Sequence, residues 1–317
     1  MLLGQGMKRR WLASGVVLMG AMAGWGLAWA TAQDSAVRTK EVADGASSRN
    51  TEASDFIRVT KTLDGELRSL QTSIVRFSAG DDHPHAGAIV DLVGAVHVGE
   101  RTYYEELKER FKDYDVVLYE LVAPEGTRIS AAEASDRGSP ISAIQGGMKE
   151  MLGLEFQLEH IDYLAKNFRH ADMSPEEFME DMASRGDSLL QMGFRMVGAG
   201  LASQASAGGQ MSEINLLVAM MSQDRERQLR RAVAGQFIDM ESSMAGMADA
   251  SGKSTLLTER NSKALKVLRD ELEQGKKRIA IFYGAGHLPD MAERLDSEFG
   301  LQKSQVEWID AWNLILP

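Results

Sequence analysis

The sequence predicts an α/β fold: a central, mostly parallel sheet with flanking helices and a large all-helical insertion over about residues 140–250. Three observations predict it. Near-continuous apolar runs of strand length lie at residues 88–97 (AIVDLVGAVH), 114–121 (YDVVLYEL) and 278–283 (RIAIFY), the pattern of interior strands covered on both faces. Helical stretches alternate with them at residues 99–111, 263–274 and 289–299, which makes residues 88–121 a β-α-β unit with a parallel crossover. Between the two halves, residues 140–250 carry helical periodicity and almost no strand signal.

The order along the chain begins with an export signal over residues 1–32. Lys8, Arg9 and Arg10 precede an uncharged apolar run at 11–30 that ends among the small residues Ala28, Ala30 and Ala32. Cleavage after Ala30 or Ala32 fits these features. An uncleaved anchor is the other reading, since the run just reaches bilayer-spanning length. Either places the protein outside the cytoplasm, periplasmic or extracellular, with membrane association only through residues 11–30. Residues 33–55 read as a flexible linker, rich in Ser, Ala, Asp and Lys without apolar periodicity. The folded domain then spans residues 56–317. It opens with an edge strand at 73–79 and a turn at 81–87, and closes with a strand at 305–316. Gly275 is placed as the C-terminal cap of the 263–274 helix, and Pro289 in the first turn of the 289–299 helix.

Charge and composition exclude several classes. The formal net charge is −11, and because residues 1–32 hold three cations and no acid, their removal takes it to −14. So acidic a surface repels nucleic acid, and none is expected as a partner. There is no cysteine, so disulfides, thiolate metal sites and cysteine nucleophiles are excluded, and any metal must sit on His, Asp or Glu. Thirteen of the 18 methionines fall between Met148 and Met247, the composition of a gap-filled helical core or of an adaptable groove.

The chemistry concentrates at strand ends. Val93-Gly94-Ala95-Val96-His97 and Tyr283-Gly284-Ala285-Gly286-His287 repeat one pattern: strand, Gly-Ala-x-His, helix start. In open α/β sheets, ligands bind at the carboxyl ends of the strands, where both histidines fall. Gly94 and Gly284 leave the crevice free of a side chain there. Glu120 closes the run 114–121, where a buried carboxylate needs a cation, a hydrogen-bond network or a metal. His97, His287 and Glu120 together are a ligand set for a divalent ion such as Mn, Co or Zn, with a position left for water. Arg260, opening a helix, is placed to clamp a substrate carboxylate or an oxyanion, or to form a surface ion pair. Asn261 and Tyr283 are secondary candidates for orienting groups.

Gly94-x-x-His97, Val117-x-x-Glu120, Glu259-Arg260-Asn261 and Gly284-x-x-His287 resemble, in order and spacing, the motif series of the TraB/PrgY/GumN family, which includes the TIKI proteins. The similarity spans about residues 89–288. Its relation to the erythromycin-esterase/ChaN-like superfamily implies an α/β core with a helical insertion. The TIKI branch implies a divalent-metal-dependent peptidase with both Gly-x-x-His histidines and the glutamate in the site. The pheromone-shutdown branch implies inactivation or sequestration of a secreted peptide, and the esterase relatives imply a glutamate that activates water without a metal.

The expectation is thus an exported metal-dependent hydrolase acting on a peptide or small acyl substrate. Glu120 and Arg260 are its catalytic residues, and His97, His287 and Glu120 its metal ligands. If Glu120 holds the ion, Glu125 or Glu259 must take the proton. The alternative is a non-catalytic protein that sequesters a peptide or haem. Three motifs are set aside. His83-Pro84-His85 lies within a turn, His170-Ala171-Asp172 leads into a helix capped by Ser174 with Pro175 and Glu177 behind it, where it can still line the crevice, and residues 246–254 (GMADASGKS) miss the phosphate-loop spacing by one residue.

Overall fold

The computed structural model describes residues 55–127, 152–184, 222, 224–234 and 257–316. The signal segment, nearly all of the linker, most of the helical insertion and the phosphate-loop mimic lie outside them. No helix among the described residues is long and apolar enough to cross a membrane.

The fold is α/β. In chain order the elements are β1 (Ile57–Lys61), β2 (Leu67–Ser78), β3 (Ile89–Ala95), β4 (Val98–Gly99), α1 (Arg101–Phe111), β5 (Val116–Tyr119), β6 (Glu155–Phe156), α2 (Gln157–His160), β7 (Phe168–His170), α3 (Pro175–Ser184), α4 (Thr258–Glu273), β8 (Arg278–Gly284), a 3-10 turn (Ala285–His287), α5 (Leu288–Ser297) and β9 (Gln302–Asn313). Residues 225–234 are also helical. Seven strands form one mixed sheet, in the order β1-β2-β3-β8-β5-β7 with β9 on the other edge of β2, while β4 and β6 pair separately. The run β3-β8-β5-β7 is parallel, and β1, β2 and β9 pair antiparallel.

Burial follows the apolar runs. All four residues of β5 are buried, as are six of the seven in each of β3 and β8, matching strands covered on both faces. The acid inside β3, Asp91, is fully buried but paired. It accepts two hydrogen bonds from Arg76, at 2.8 Å each, and one from the Tyr114 hydroxyl at 2.7 Å. Helix α4 buries Arg260, Asn261, Ala264, Leu265, Leu268 and Leu272 at three- and four-residue spacing, so its first turn faces the strand ends. Gly275 follows it at φ 86°, the left-handed geometry that ends a helix.

Two expectations are corrected. The strand expected at an edge, residues 73–79, is part of β2 and lies inside the sheet, paired with β3 on one side and β9 on the other. Its polar Ser73 is tolerated there because its hydroxyl donates to the Asp55 carbonyl at 2.8 Å. The region read as helical contains β6 and β7, and β7 extends the parallel sheet. Strands of two and three residues are too short to show a period of two.

Candidate functional site

Parallel strands put their carboxyl ends on one side, and here the ends are level. Ala95 pairs with Gly284, Tyr119 with Phe282, and Tyr119 with His170. The residues that follow each strand, His97, Gly284 to His287, Glu120 and Asp172, therefore converge from four separate stretches of sequence. Strand β8 lies between β3 and β5, so Glu120 neighbours the strand of His287 directly and that of His97 only across it.

Glu120 and Arg260 form the centre. The Arg260 Nη2 donates to Glu120 Oε1 at 2.6 Å, and the backbone N–H of Gly284 donates to Oε2 at 2.8 Å. Both side chains are buried, which makes an uncompensated charge on either costly. Arg260 is held in turn by Asp172, with Nε to Oδ1 at 3.0 Å and Nη2 to Oδ2 at 2.6 Å. This paired contact matches the planar fork of a guanidinium to a carboxylate. Burial alone would raise the Glu120 carboxyl, but the adjacent Arg260 charge, followed by His287 and His97, outweighs it and holds the group well below the usual carboxylate range. Burial likewise works against the Arg260 charge, and Asp172 and Glu120 more than restore it, so Arg260 is a permanent cation.

His287 stands at the junction. Its Nε2 lies 3.5 Å from Glu120 Oε1 and 3.5 Å from Arg260 Nη1. The Asn261 side chain fixes its other nitrogen. Asn261 Nδ2 donates to the His287 carbonyl at 3.0 Å and to Asp290 Oδ2 at 2.8 Å, so its Oδ1 is the atom facing His287 Nδ1, at 2.6 Å. An oxygen there requires Nδ1 to carry a proton, so Nε2 is the ring nitrogen that can take up or give a proton, and it faces Glu120 and Arg260. The Tyr283 ring packs edge-on against His287 at 5.2 Å.

The sequence-predicted residues divide accordingly. Glu120, Arg260, His287 and Asn261 are joined in one network, with Gly284 donating to it. A Cβ on Gly284 would stand 3.3 Å from Glu120 Oε2, so the missing side chain makes room for the carboxylate. Tyr283 supports His287 by packing rather than by its hydroxyl, which donates to the Ala171 carbonyl. Gly94 serves a different purpose from the one expected. Its absent side chain makes room for the backbone carbonyls of Phe56 and Ser73, each 3.3 Å from where a Cβ would be, and not for the crevice. His97 is half-buried and near enough that a protonated ring would lower the Glu120 carboxyl, and its carbonyl accepts from the Gln157 N–H at 3.0 Å.

His97, Glu120 and His287 do not gather their donor atoms around one point. Among the described residues, the three ligand-type side chains whose donor atoms all lie within 4.8 Å of one another are Glu155, Glu159 and His160. A group able to hold a metal ion is thus present, at a place the sequence did not single out. At Glu120 the arrangement does not fit a resident ion, because the Arg260 cation already bonds one carboxylate oxygen and stands beside His287 Nε2.

Asp172 is the site residue to which sequence reasoning assigned no role: it follows β7, the strand hidden in the middle region, and the segment 170–172 reads as the approach to a helix that can line the crevice. That approach is as expected: Ser174 Oγ accepts from the Glu177 N–H at 3.0 Å and Glu177 Oε2 from the Ser174 N–H at 2.8 Å. The set-aside histidines are structural. His83 bonds the Phe299 carbonyl at 2.7 Å and the His85 N–H at 3.0 Å, and His170 bonds the Leu121 carbonyl at 2.6 Å. Glu125 is exposed and Glu259 partly buried.

The chain matches no family model, no curated protein and no solved structure.

Proposed function

We propose that the protein is a hydrolase acting on a peptide or related acyl substrate outside the cytoplasm, consistent with its resemblance to the TraB/TIKI series. One observation carries the proposal. A buried, ionised Glu120 and His287 Nε2 stand 3.5 Å apart, beside a guanidinium that Asp172 anchors. Such a dense set of coupled ionisable groups at strand ends is costly for stability and characteristic of sites that move protons.

The chemistry follows from the hydrogen bonds. Glu120, held as a carboxylate well below its usual range, is a poor proton acceptor, so the base is His287 Nε2. Water attacks the substrate carbonyl carbon and gives its proton to Nε2. Glu120, at 3.5 Å, stabilises the imidazolium that forms, and the Arg260 guanidinium beside Nε2 supplies the positive charge for the oxygen on which negative charge develops. The same proton then passes to the departing amine or alkoxide as the tetrahedral carbon collapses, leaving Nε2 free again. His97 stands at the edge of the network, where its charge acts on Glu120.

A peptide-library digest read by mass spectrometry tests this. The wild-type chain should yield cleaved products, and Glu120→Gln and His287→Ala should not. Adding a chelator separates this mechanism from one in which Mn, Co or Zn on His97, Glu120 and His287 supplies the water nucleophile: activity should persist without the ion. Tight peptide binding with no product, or a Soret absorption band from bound haem, would instead favour a sequestering role.

A further inference from the structure

We propose that Glu155, Glu159 and His160 form a divalent-cation site separate from the Glu120 centre, one that ties α2 to β6, the short strand that pairs with the strand leading out of His97. The donor atoms of the three side chains all lie within 4.8 Å of one another, and all three residues are partly buried. His160 Nε2 is 3.2 Å from Glu155 Oε2. Two ligand atoms on a tetrahedral ion, each about 2.0–2.1 Å from the metal, are themselves about 3.3 Å apart. A second observation concerns direction. His160 Nε2 is buried and makes no hydrogen bond, although a carboxylate oxygen is so near. The nitrogen therefore points past that oxygen rather than at it, as donors sharing an ion do.

The ring is held in that orientation by stacking on Tyr104, with planes 3° apart and centroids at 5.8 Å. Arg101 reaches only the other oxygen of Glu155, at 3.2 Å, and is itself well exposed. One imidazole with two carboxylates favours a transition ion such as Zn²⁺ or Mn²⁺ over Mg²⁺ or Ca²⁺, which prefer all-oxygen shells. The place explains a use. Glu155 and Phe156 pair with Val98 and Gly99, and the next residue, Gln157, donates its N–H to the His97 carbonyl. An ion tying α2 to β6 would fix that pairing, and with it the backbone of His97, without entering the reaction.

The test uses the full-length chain, stripped with EDTA, mixed with ZnCl₂ or MnCl₂ and passed through a desalting column. Metal content is then measured by mass spectrometry and unfolding by a thermal melt. One ion per chain and a raised Tm are expected for the wild type. His160→Ala should abolish both, Glu159→Gln should weaken binding at least tenfold, and Glu120→Gln and His287→Ala should leave binding intact. Should His160→Ala fail to fold, Glu159→Gln decides alone. A wild-type chain that retains no ion overturns the proposal, as does unchanged binding by Glu159→Gln. So does an ion lost on replacing His287 and kept on replacing His160. A His160 that merely pairs with Glu155 gives the first of these results.

Discussion

Asp172 grips the Arg260 guanidinium through two hydrogen bonds, of 3.0 and 2.6 Å, and so sets the position of the cation that in turn holds Glu120. A residue outside the expected motif series is thus the one that positions its arginine. Asp172→Ala should leave a buried guanidinium without the carboxylate that grips it through two bonds and lower stability by about 3 kcal/mol, measured by urea denaturation. Hydrolysis should fall with it. A smaller loss in Asp172→Ala combined with Arg260→Met than in Asp172→Ala alone would show that the stranded charge is the cause, and equal losses would show that it is not.

Glu120 predicts an acid-side dependence. Its carboxyl titrates well below the usual range in the folded protein, so the unfolded chain binds a proton that the folded chain does not. Stability from this group is therefore complete above the unfolded value, about 4, and is lost as pH falls through the lower folded value. Glu120→Gln should unfold with a shallower acid limb than the wild type when melts are taken from pH 5 downward. Parallel limbs would mean that Glu120 is not held ionised by Arg260.

The two glycines should separate stability from activity. In Gly284→Ala the new methyl group meets the Glu120 carboxylate at 3.3 Å, and a side chain can yield by a few tenths of an ångström. The variant should fold normally and lose hydrolysis, by about tenfold for a shift costing about 1.4 kcal/mol in the transition state. In Gly94→Ala the methyl group meets the backbone carbonyls of Phe56 and Ser73, which yield less readily than a side chain. That variant should lose about 1–3 kcal/mol of stability while keeping its turnover per folded molecule. Urea melts and initial rates on the same preparations distinguish the two.

Asn261 fixes which nitrogen of His287 carries the proton. Asn261→Leu should lower kcat on a cleaved library peptide on the order of a hundredfold, with little change in KM. His287→Ala should be at least as damaging. His97→Ala should cost much less, since His97 stands at the edge of the network and has the smallest influence on Glu120. Equal loss in the two histidine variants, reversed by added Mn²⁺ or Zn²⁺, would instead support shared metal ligation.

The sequence alone determined what depends on local pattern. Apolar runs of strand length identified β3, β5 and β8, because interior parallel strands are buried on both faces. The Ser174–Glu177 capping box and the Gly275 helix stop were legible for the same reason, being set by neighbours in the chain. The repeated Gly-x-x-His and the acid at the end of residues 114–121 marked His97, His287 and Glu120 as a set to be joined, of which the structure joins His287 and Glu120 and leaves His97 at the edge. Only the tertiary structure decided what stands between them. Arg260 reaches Glu120 across 140 residues and Asp172 across 88, and no period in the sequence encodes a contact made by two side chains arriving from different elements. The two Gly-x-x-His motifs also read alike while Gly94 and Gly284 face different surroundings, sheet backbone in one case and a carboxylate in the other. A glycine's identity fixes only that space is needed; which atoms fill it depends on the strands and helices that pack beside it.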